Sequence, residues 1–539
     1  MLSFKEILIA ILVTGITLLV TTYPSRIAPF NIEDDHFYIK ISQPEIGYFK
    51  EYESAEKYSS FLEYFKSFGK ENGRFFPLLK TSIWLLAKTS HLNPVGVQAI
   101  LFLFGWLSAI LFFILLRILL PDFLIPLLFS LVFITGRYAA IWYRCTGELF
   151  ALPFLLLCFI SMILYFRNNK KIFLASGICS LFFSCLFKES FPALIPAVCF
   201  SVALLYVFEK QTSLRYALKQ TKWFQFSALM IFLMTFAGIL FALNSGDKSP
   251  VSFLSMHHIL HNFIFLSGYY YTTVPIIIYV VFLVWNNKFR NIHLYILFAW
   301  LCWLSSQMVI YSKMEITPYA RYQMPAVLFS IVLAAVSFYE IKKLKVNYLN
   351  GLIILFLAGA CIVNAKNTYM NSTYYSARAM SYDNMLDVLV SKVNPLSDKI
   401  LMIAEDGRED GFLESTVTYL SLKGLNMPMN QVIYIGAKKN GDVFIHQTPE
   451  LVTKLYLNKT LTRKEDFVSE IRKDSAIKWI VFCRPIENNF LNSEDFRFGF
   501  KNSFDFSQPY LYISTKEIFQ SMLGEDFPKH RLTFRIFER

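Results

Sequence analysis

Charge is scarce in this sequence. Asp, Glu, Lys and Arg together make 17% of its 539 residues, whereas hydrophobic residues make 55%. An ordinary soluble domain carries about 25% charged residues, so the shortage, with a mean hydropathy of +0.43, excludes that class. A cysteine framework is lacking as well. Of the eight cysteines, Cys158, Cys179, Cys185, Cys199, Cys302 and Cys361 fall in apolar stretches, and no CxxC spacing occurs. A disulfide scaffold and the common zinc motifs are thereby excluded. No internal repeat or low-complexity tract is present, which removes solenoid folds. The net charge of +13 is dispersed over short loops and the tail rather than gathered on one face. Nucleic acid is therefore not an expected partner.

What remains is long apolar runs. Segments near 5–22, 97–120, 122–135, 148–166, 171–187, 190–208, 223–243, 272–285, 292–311, 322–339 and 349–365 are each apolar enough to enter a bilayer core of about 30 Å. This predicts a polytopic α-helical membrane protein with about 11 transmembrane helices. The first run has no small-residue cleavage site and reads as a retained helix. With the N-terminus inside, the inside loops hold thirteen Lys and Arg, among them Arg167, Lys170, Lys171, Lys210 and Lys342, and the short outside loops six. The positive-inside rule fixes that orientation. The first loop, 23–95, and everything after 365 then lie outside.

The first loop predicts two interfacial helices. Tyr58, Phe61, Leu62, Phe65 and Phe68 recur at helical spacing, and a second apolar stretch opens at Arg74-Phe75-Phe76-Pro77 and ends before His91. The tail, 366–539, is polar with short apolar runs. Lys399–Ala404 and Ile477–Phe482 read as buried strands, and Tyr382–Val393 and Phe412–Leu422 as helices. A C-terminal extracytoplasmic α/β domain follows, beside a transmembrane domain over 1–365. Asn371-Ser372-Thr373 and Asn458-Lys459-Thr460 fit the glycosylation pattern, a triplet frequent by chance.

Polar groups gather at the outer ends of the runs. Glu33, Asp34 and Asp35 follow the first, Arg144 and Glu148 open the fourth, and Lys188-Glu189 turns between the fifth and sixth. His257, His258 and His261 follow the seventh, and Tyr319, Arg321 and Tyr322 precede the tenth. A partly desolvated carboxylate suits a general base, since burial raises its pKa toward working pH. Arg and Lys beside it suit a leaving phosphate. Plainer readings stand beside these. Asp34 and Asp35 also suit a solvated loop or a helix cap, Arg321 could snorkel to headgroups, and Lys188-Glu189 could form a local ion pair. The histidines place two imidazoles on one helical face without an HExxH glutamate, more in keeping with polar anchors than with zinc ligands.

The acidic pair after the first helix, the paired interfacial helices, the Phe187-Lys188-Glu189-Ser190 turn and the Pro318-Tyr319-Ala320-Arg321-Tyr322-Gln323-Met324-Pro325 sequence together resemble the GT-C glycosyltransferases. That superfamily includes protein O-mannosyltransferases and aminoarabinose transferases. The resemblance covers about 1–365 and, more loosely, the tail. It implies a glycosyltransferase moving a sugar from a polyprenyl-phosphate-linked donor to a glycan, lipid or protein acceptor outside the membrane, with inversion. Asp34 or Asp35 would be the base and Arg321, Lys188 and Arg74 the donor-phosphate ligands. Glu148, Glu189, Tyr319, Tyr322 and His258 would support them. The resemblance fixes no cofactor and leaves a divalent metal open, with Asp35 as its carboxylate. Short loops and the lack of a retention signal point to a bacterial inner (cytoplasmic) membrane, with membrane lipids as surroundings. The rival reading is a transporter or flippase for a lipid-linked saccharide. That class tends to place its charges near the bilayer midplane and to carry repeats, and neither pattern occurs here.

Overall fold

The computed structural model describes residues 3–31, 77–188, 190–245, 256–267, 270–285, 291–310, 324–343, 347–405, 411–427, 431–437, 443–446, 460–462, 475–482, 502–510 and 530–539. Each of the eleven apolar runs contains a helix: α1 (Phe4–Arg26), α3 (Pro94–Leu119), α4 (Leu124–Ile134), α5 (Gly147–Asn168), α6 (Lys171–Phe187), α7 (Ile195–Lys210), α9 (Lys222–Ser245), α11 (Tyr270–Trp285), α12 (Asn291–Ile310), α13 (Ala326–Lys342) and α14 (Asn347–Lys392). Between them stand α2 (Pro77–Ser90), α8 (Leu214–Gln220) and α10 (Met256–Ser267).

Among the described residues, six helices are long and apolar enough to cross a bilayer: α1, α3, α5, the Pro192–Lys210 stretch that contains α7, α9 and α14. The chain is a polytopic helical membrane protein. Among the described residues, length and composition together give six of the eleven expected spans. The 11 residues of α4 rise only about 16 Å, half of a ~30 Å core, and the 3-10 turn Arg137–Trp142 carries the chain on to α5.

The chain divides into two compact units. The first comprises 1–22, 60–82 and 100–369, a helical bundle packed by aromatic rings. Trp142 is fully buried, donates its indole N–H to the Ile134 carbonyl at 2.9 Å and meets the Phe133 ring edge-on at 5.4 Å. On the solvent-loop ends, Glu6 pairs with Arg117 at 3.2 Å, and Asp122 pairs with Lys342. Each pair ties together helix ends that polar headgroups would otherwise solvate.

The second unit comprises 23–59, 83–99 and 370–539. Its described strands are β1 (Lys399–Glu405), β2 (Val432–Ala437), β3 (Val443–His446), β4 (Thr460–Thr462), β5 (Ile477–Phe482), β6 (Asn502–Tyr510) and β7 (His530–Glu538), in spatial order β4-β3-β2-β1-β5-β7-β6. The central strands β2, β1 and β5 are parallel, and antiparallel strands extend both edges. Ile400 and Met402, Trp479 and Val481, and Phe534 and Ile536 present one face to Tyr382, Met385, Leu386 and Leu389 of α14 and to Val417 and Leu420 of α15 (Gly411–Leu422). That strict period of two is what a one-sided sheet face requires.

The second of the two expected interfacial helices is α2, which ends at Ser90 before left-handed His91 and Leu92. The first, over Tyr58–Phe68, lies outside the described residues. The helix α14 runs unbroken through 365, where the sequence reading set a domain boundary, and the two compact units divide within it, between 369 and 370. α14 continues for 46 residues, about 69 Å, because no Gly or Pro stands between Gly359 and Pro395. Asn371-Ser372-Thr373 falls inside this helix and not in an acceptor loop. Ser372 is buried, its hydroxyl shared with that of Ser25 at 3.0 Å.

Candidate active site

Two helix ends meet where the sequence placed Glu148 and Lys188. Thr146 caps α5, its hydroxyl accepting the Leu149 N–H at 3.4 Å. Glu148 thus stands in the first helical turn, where the helix dipole favours a negative charge. α6 ends at Phe187, and Lys188 follows in extended conformation. The ends pack so closely that a Cβ on Gly147 would lie 2.5 Å from the Phe187 carbonyl oxygen and 3.0 Å from the Lys188 Cδ. Below them the Phe187 ring lies against Phe150 and Phe154, at 5.7 and 5.6 Å.

The consequence is an ion pair at the membrane boundary. Lys188 Nζ stands 3.5 Å from Glu148 Oε1, and the carboxylate is fully buried. The gross attraction is about 5 kcal/mol at an effective dielectric near 20, much of it offset by the cost of removing both charges from water. Neither Glu148 oxygen accepts a hydrogen bond among the described residues. The hydroxyls of Ser184, one turn before Lys188, and Ser190, just after the turn, are likewise buried without partners there. Each unmet buried polar atom costs about 1–3 kcal/mol, so ordered water or a bound molecule has to complete the bonding here.

Near the Arg321-Tyr322 element, the fully buried Gln307 of α12 donates its side-chain N–H to the Met324 carbonyl at 3.1 Å, which fixes the chain just before α13. On the other unit, residues leading to the acidic run are tied down. Buried Asn31 accepts from Arg378 Nε at 2.8 Å, donates to the Tyr375 carbonyl at 3.0 Å and receives the Tyr419 hydroxyl on its own carbonyl at 2.9 Å. Phe30 stacks on the Tyr419 ring at 6.1 Å.

Of the residues singled out from the sequence, the structure brings Glu148 and Lys188 together. The local ion pair read for Lys188-Glu189 has a longer-range counterpart in Glu148. His258 is half-buried on α10, its ring 5.8 Å from that of His257. Among the described residues no group of three His, Cys, Asp or Glu side chains could hold a metal ion. Asp34, Asp35, Arg74, Glu189, Tyr319, Arg321 and Tyr322 lie outside the described residues. The sequence reading missed Ser184, Ser190, Gly147 and Asn31. Ser184 sits in the last turn of α6, four residues before Lys188, and that closeness in sequence was the available signal.

No protein-family model matches the chain, and no curated protein does. Among solved structures, the chain is similar to ArnT from Cupriavidus metallidurans in the apo state, at 11% identity over 87% of this chain and 91% of that one, with a TM-score of 0.46. It is also similar to ArnT from the same organism bound to undecaprenyl phosphate, at 10% identity over 99% and 98% of the two chains, with a TM-score of 0.48.

Proposed function

We propose that the chain is a membrane glycosyltransferase that moves a sugar from a polyprenyl-phosphate-linked donor to a glycan, lipid or protein acceptor on the outer side of a bacterial inner membrane. One observation carries this reading: a buried carboxylate with open acceptor positions beside an ammonium group, both at the membrane-boundary ends of apolar helices. Sugar hydroxyls are the donors that Glu148 lacks, and a phosphate is the acceptor that a Lys188 ammonium with three donors suits. The GT-C resemblance of the sequence supplies the remaining parts.

In the proposed reaction Asp34 or Asp35 takes the proton of the acceptor hydroxyl or amine. The freed electron pair attacks the anomeric carbon, and the carbon–oxygen bond to the phosphate breaks on the opposite face with inversion. The electron pair of that bond leaves on the polyprenyl phosphate, whose growing charge Lys188, Arg321 and Arg74 stabilise. Glu148 holds the sugar and restrains Lys188. Glu189, Tyr319, Tyr322 and His258 complete the chamber in support. A divalent metal, if the reaction uses one, would have Asp35 as a carboxylate ligand.

Single Asn replacements of Asp34 and Asp35 test the base, because Asn keeps the shape and loses the basic lone pair. One of the two should lower turnover by at least about a hundredfold at unchanged folding. Wild-type rates in both would remove the base from this loop. Arg321→Lys should impair donor use in part and Arg321→Ala severely, since the planar fork is lost with the first and the charge with the second. Full activity of Arg321→Ala across donor concentrations would leave the residue a snorkelling arginine.

A further inference from the structure

The helical bundle contains a second feature, at the helix ends remote from Glu148 along α5. A cavity of about 460 Å³ lies between α3, α7, α12 and α13. Its floor is aromatic: Trp303 stacks on Phe329 at 5.4 Å and spends its indole N–H on the Ser201 hydroxyl at 2.9 Å, so the floor offers no unmet polar group from that ring. Leucine and valine side chains, Leu205 and Val336 among them, form the walls. Polar groups appear at the rim, where Tyr339, Glu340, Lys343 and Glu209 stand. Phe329 and Tyr339 are ten residues apart on α13, about 15 Å along its axis. That depth is half of a hydrocarbon core of about 30 Å, the thickness of one leaflet.

The rim is charged in both senses. Arg167 grips Glu209 through two hydrogen bonds of 2.6 and 2.9 Å. Lys343 pairs with Glu340 and lies over the Tyr339 ring at 4.5 Å. Two carboxylates beside two cations complement a headgroup that itself carries an ammonium and a phosphate. A net-anionic headgroup would meet the same two carboxylates with no ammonium to offer them.

We propose that this cavity is a phospholipid site, holding one fatty-acyl chain of phosphatidylethanolamine from the leaflet at that end, with the headgroup on the Glu209–Arg167 and Glu340–Lys343 pairs. An apolar space inside membrane-embedded helices is not hydrated for want of polar partners, and hydrocarbon is what borders it. The one-leaflet depth fits an acyl chain that enters from this end. It does not fit a polyprenyl tail whose phosphate sits at the Glu148 end. The site stands apart from Glu148 and Lys188, and its test is independent of the transferase reading.

The test is native mass spectrometry of the full chain released from nanodiscs that contain equal amounts of phosphatidylethanolamine and phosphatidylglycerol, with polyprenyl phosphate added. Wild type should retain one phosphatidylethanolamine. Val336→Trp and Leu205→Trp fill the walls and should each lower that retention at least about tenfold, the equivalent of about 1.4 kcal/mol. Glu340→Lys leaves the packed interior alone and should shift the retained headgroup toward phosphatidylglycerol by a similar factor. Retention unchanged in the wall variants, retention of polyprenyl phosphate instead, or no retained lipid in wild type would each overturn the site. Should both wall variants misfold, Glu340→Lys decides by itself, and an unchanged headgroup preference overturns the proposal.

Discussion

At Gly147 the fold leaves no room for a side chain, since the backbone carbonyl of Phe187 would crowd any Cβ at 2.5 Å. Backbone cannot swing aside as a flexible side chain can, so Gly147→Ala should push α5 away from Lys188. We expect a loss of about 1–3 kcal/mol in stability and lower donor affinity, read by thermal unfolding and by donor titration of the same preparation. A second residue reports on pH. Burial by itself would raise the Asp398 carboxyl, but Lys478, the Asn394 N–H, the Ser397 hydroxyl and the Trp479 indole hold it down to about 2 from an ordinary 3.8. A carboxylate depressed by folding contributes stability that is complete above its unfolded value and is lost as pH falls through the folded one. The contribution should therefore be intact at neutral pH and vanish between about pH 4 and 2. Asp398→Asn should lower unfolding stability at pH 7 and flatten its dependence across that acid window; an unchanged acid limb would remove Asp398 as its source. None of this was legible in the sequence. Glu148 and Lys188 were visible as charges beside apolar runs, whereas two of the partners of Asp398, Lys478 and Trp479, come from a strand remote along the chain.

At the scale of elements, hydrophobic runs located the eleven helices they contain, whereas α8 and α10 were not read from them. Every apolar run holds one, and α2 and α15 fall within a few residues of the stretches read as helical. The β1 and β5 runs were equally plain, because Ile, Val, Trp and Phe bounded by polar turns leave few other choices. Lengths were less legible. α4 stops after 11 residues, and α14 ignores a sharp change from apolar to polar composition. Polarity marks where lipid ends, and only a breaker marks where a helix ends. The anchoring of Asn31 was invisible for a different reason: its partners, Arg378 and Tyr419, belong to α14 and α15, more than three hundred residues later. Since Asn31 precedes the acidic run by only a few residues, Arg378→Ala should loosen that segment. We expect kcat to fall several-fold at nearly unchanged donor KM, with partial recovery in Arg378→Lys, which restores one donor but not the planar fork. A loss confined to thermal stability would reduce this contact to a structural one.

At the scale of the whole molecule, topology is the main inference from charge. The Lys and Arg asymmetry expects the tail and the first loop outside and Asn169 inside. Leu396 is 86% exposed and a suitable labelling position, whereas the neighbouring Ser397 hydroxyl is engaged by Asp398. In intact cells an impermeant thiol reagent should label Leu396→Cys and Ser54→Cys and spare Asn169→Cys, which caps α5 in a left-handed turn. Labelling of Asn169→Cys with protection of the other two would invert the assignment. The central claim is sugar transfer, and it is tested most directly by following the bond that must break. Reconstituted protein is supplied with a polyprenyl-phosphate sugar labelled in both halves, together with a membrane extract as acceptor. Transfer requires equal release of free polyprenyl phosphate and of labelled acceptor, lost in Lys188→Ala of matched stability. Movement of the doubly labelled donor across the bilayer with its sugar–phosphate bond intact, and no labelled acceptor, would contradict a transferase and establish a flippase.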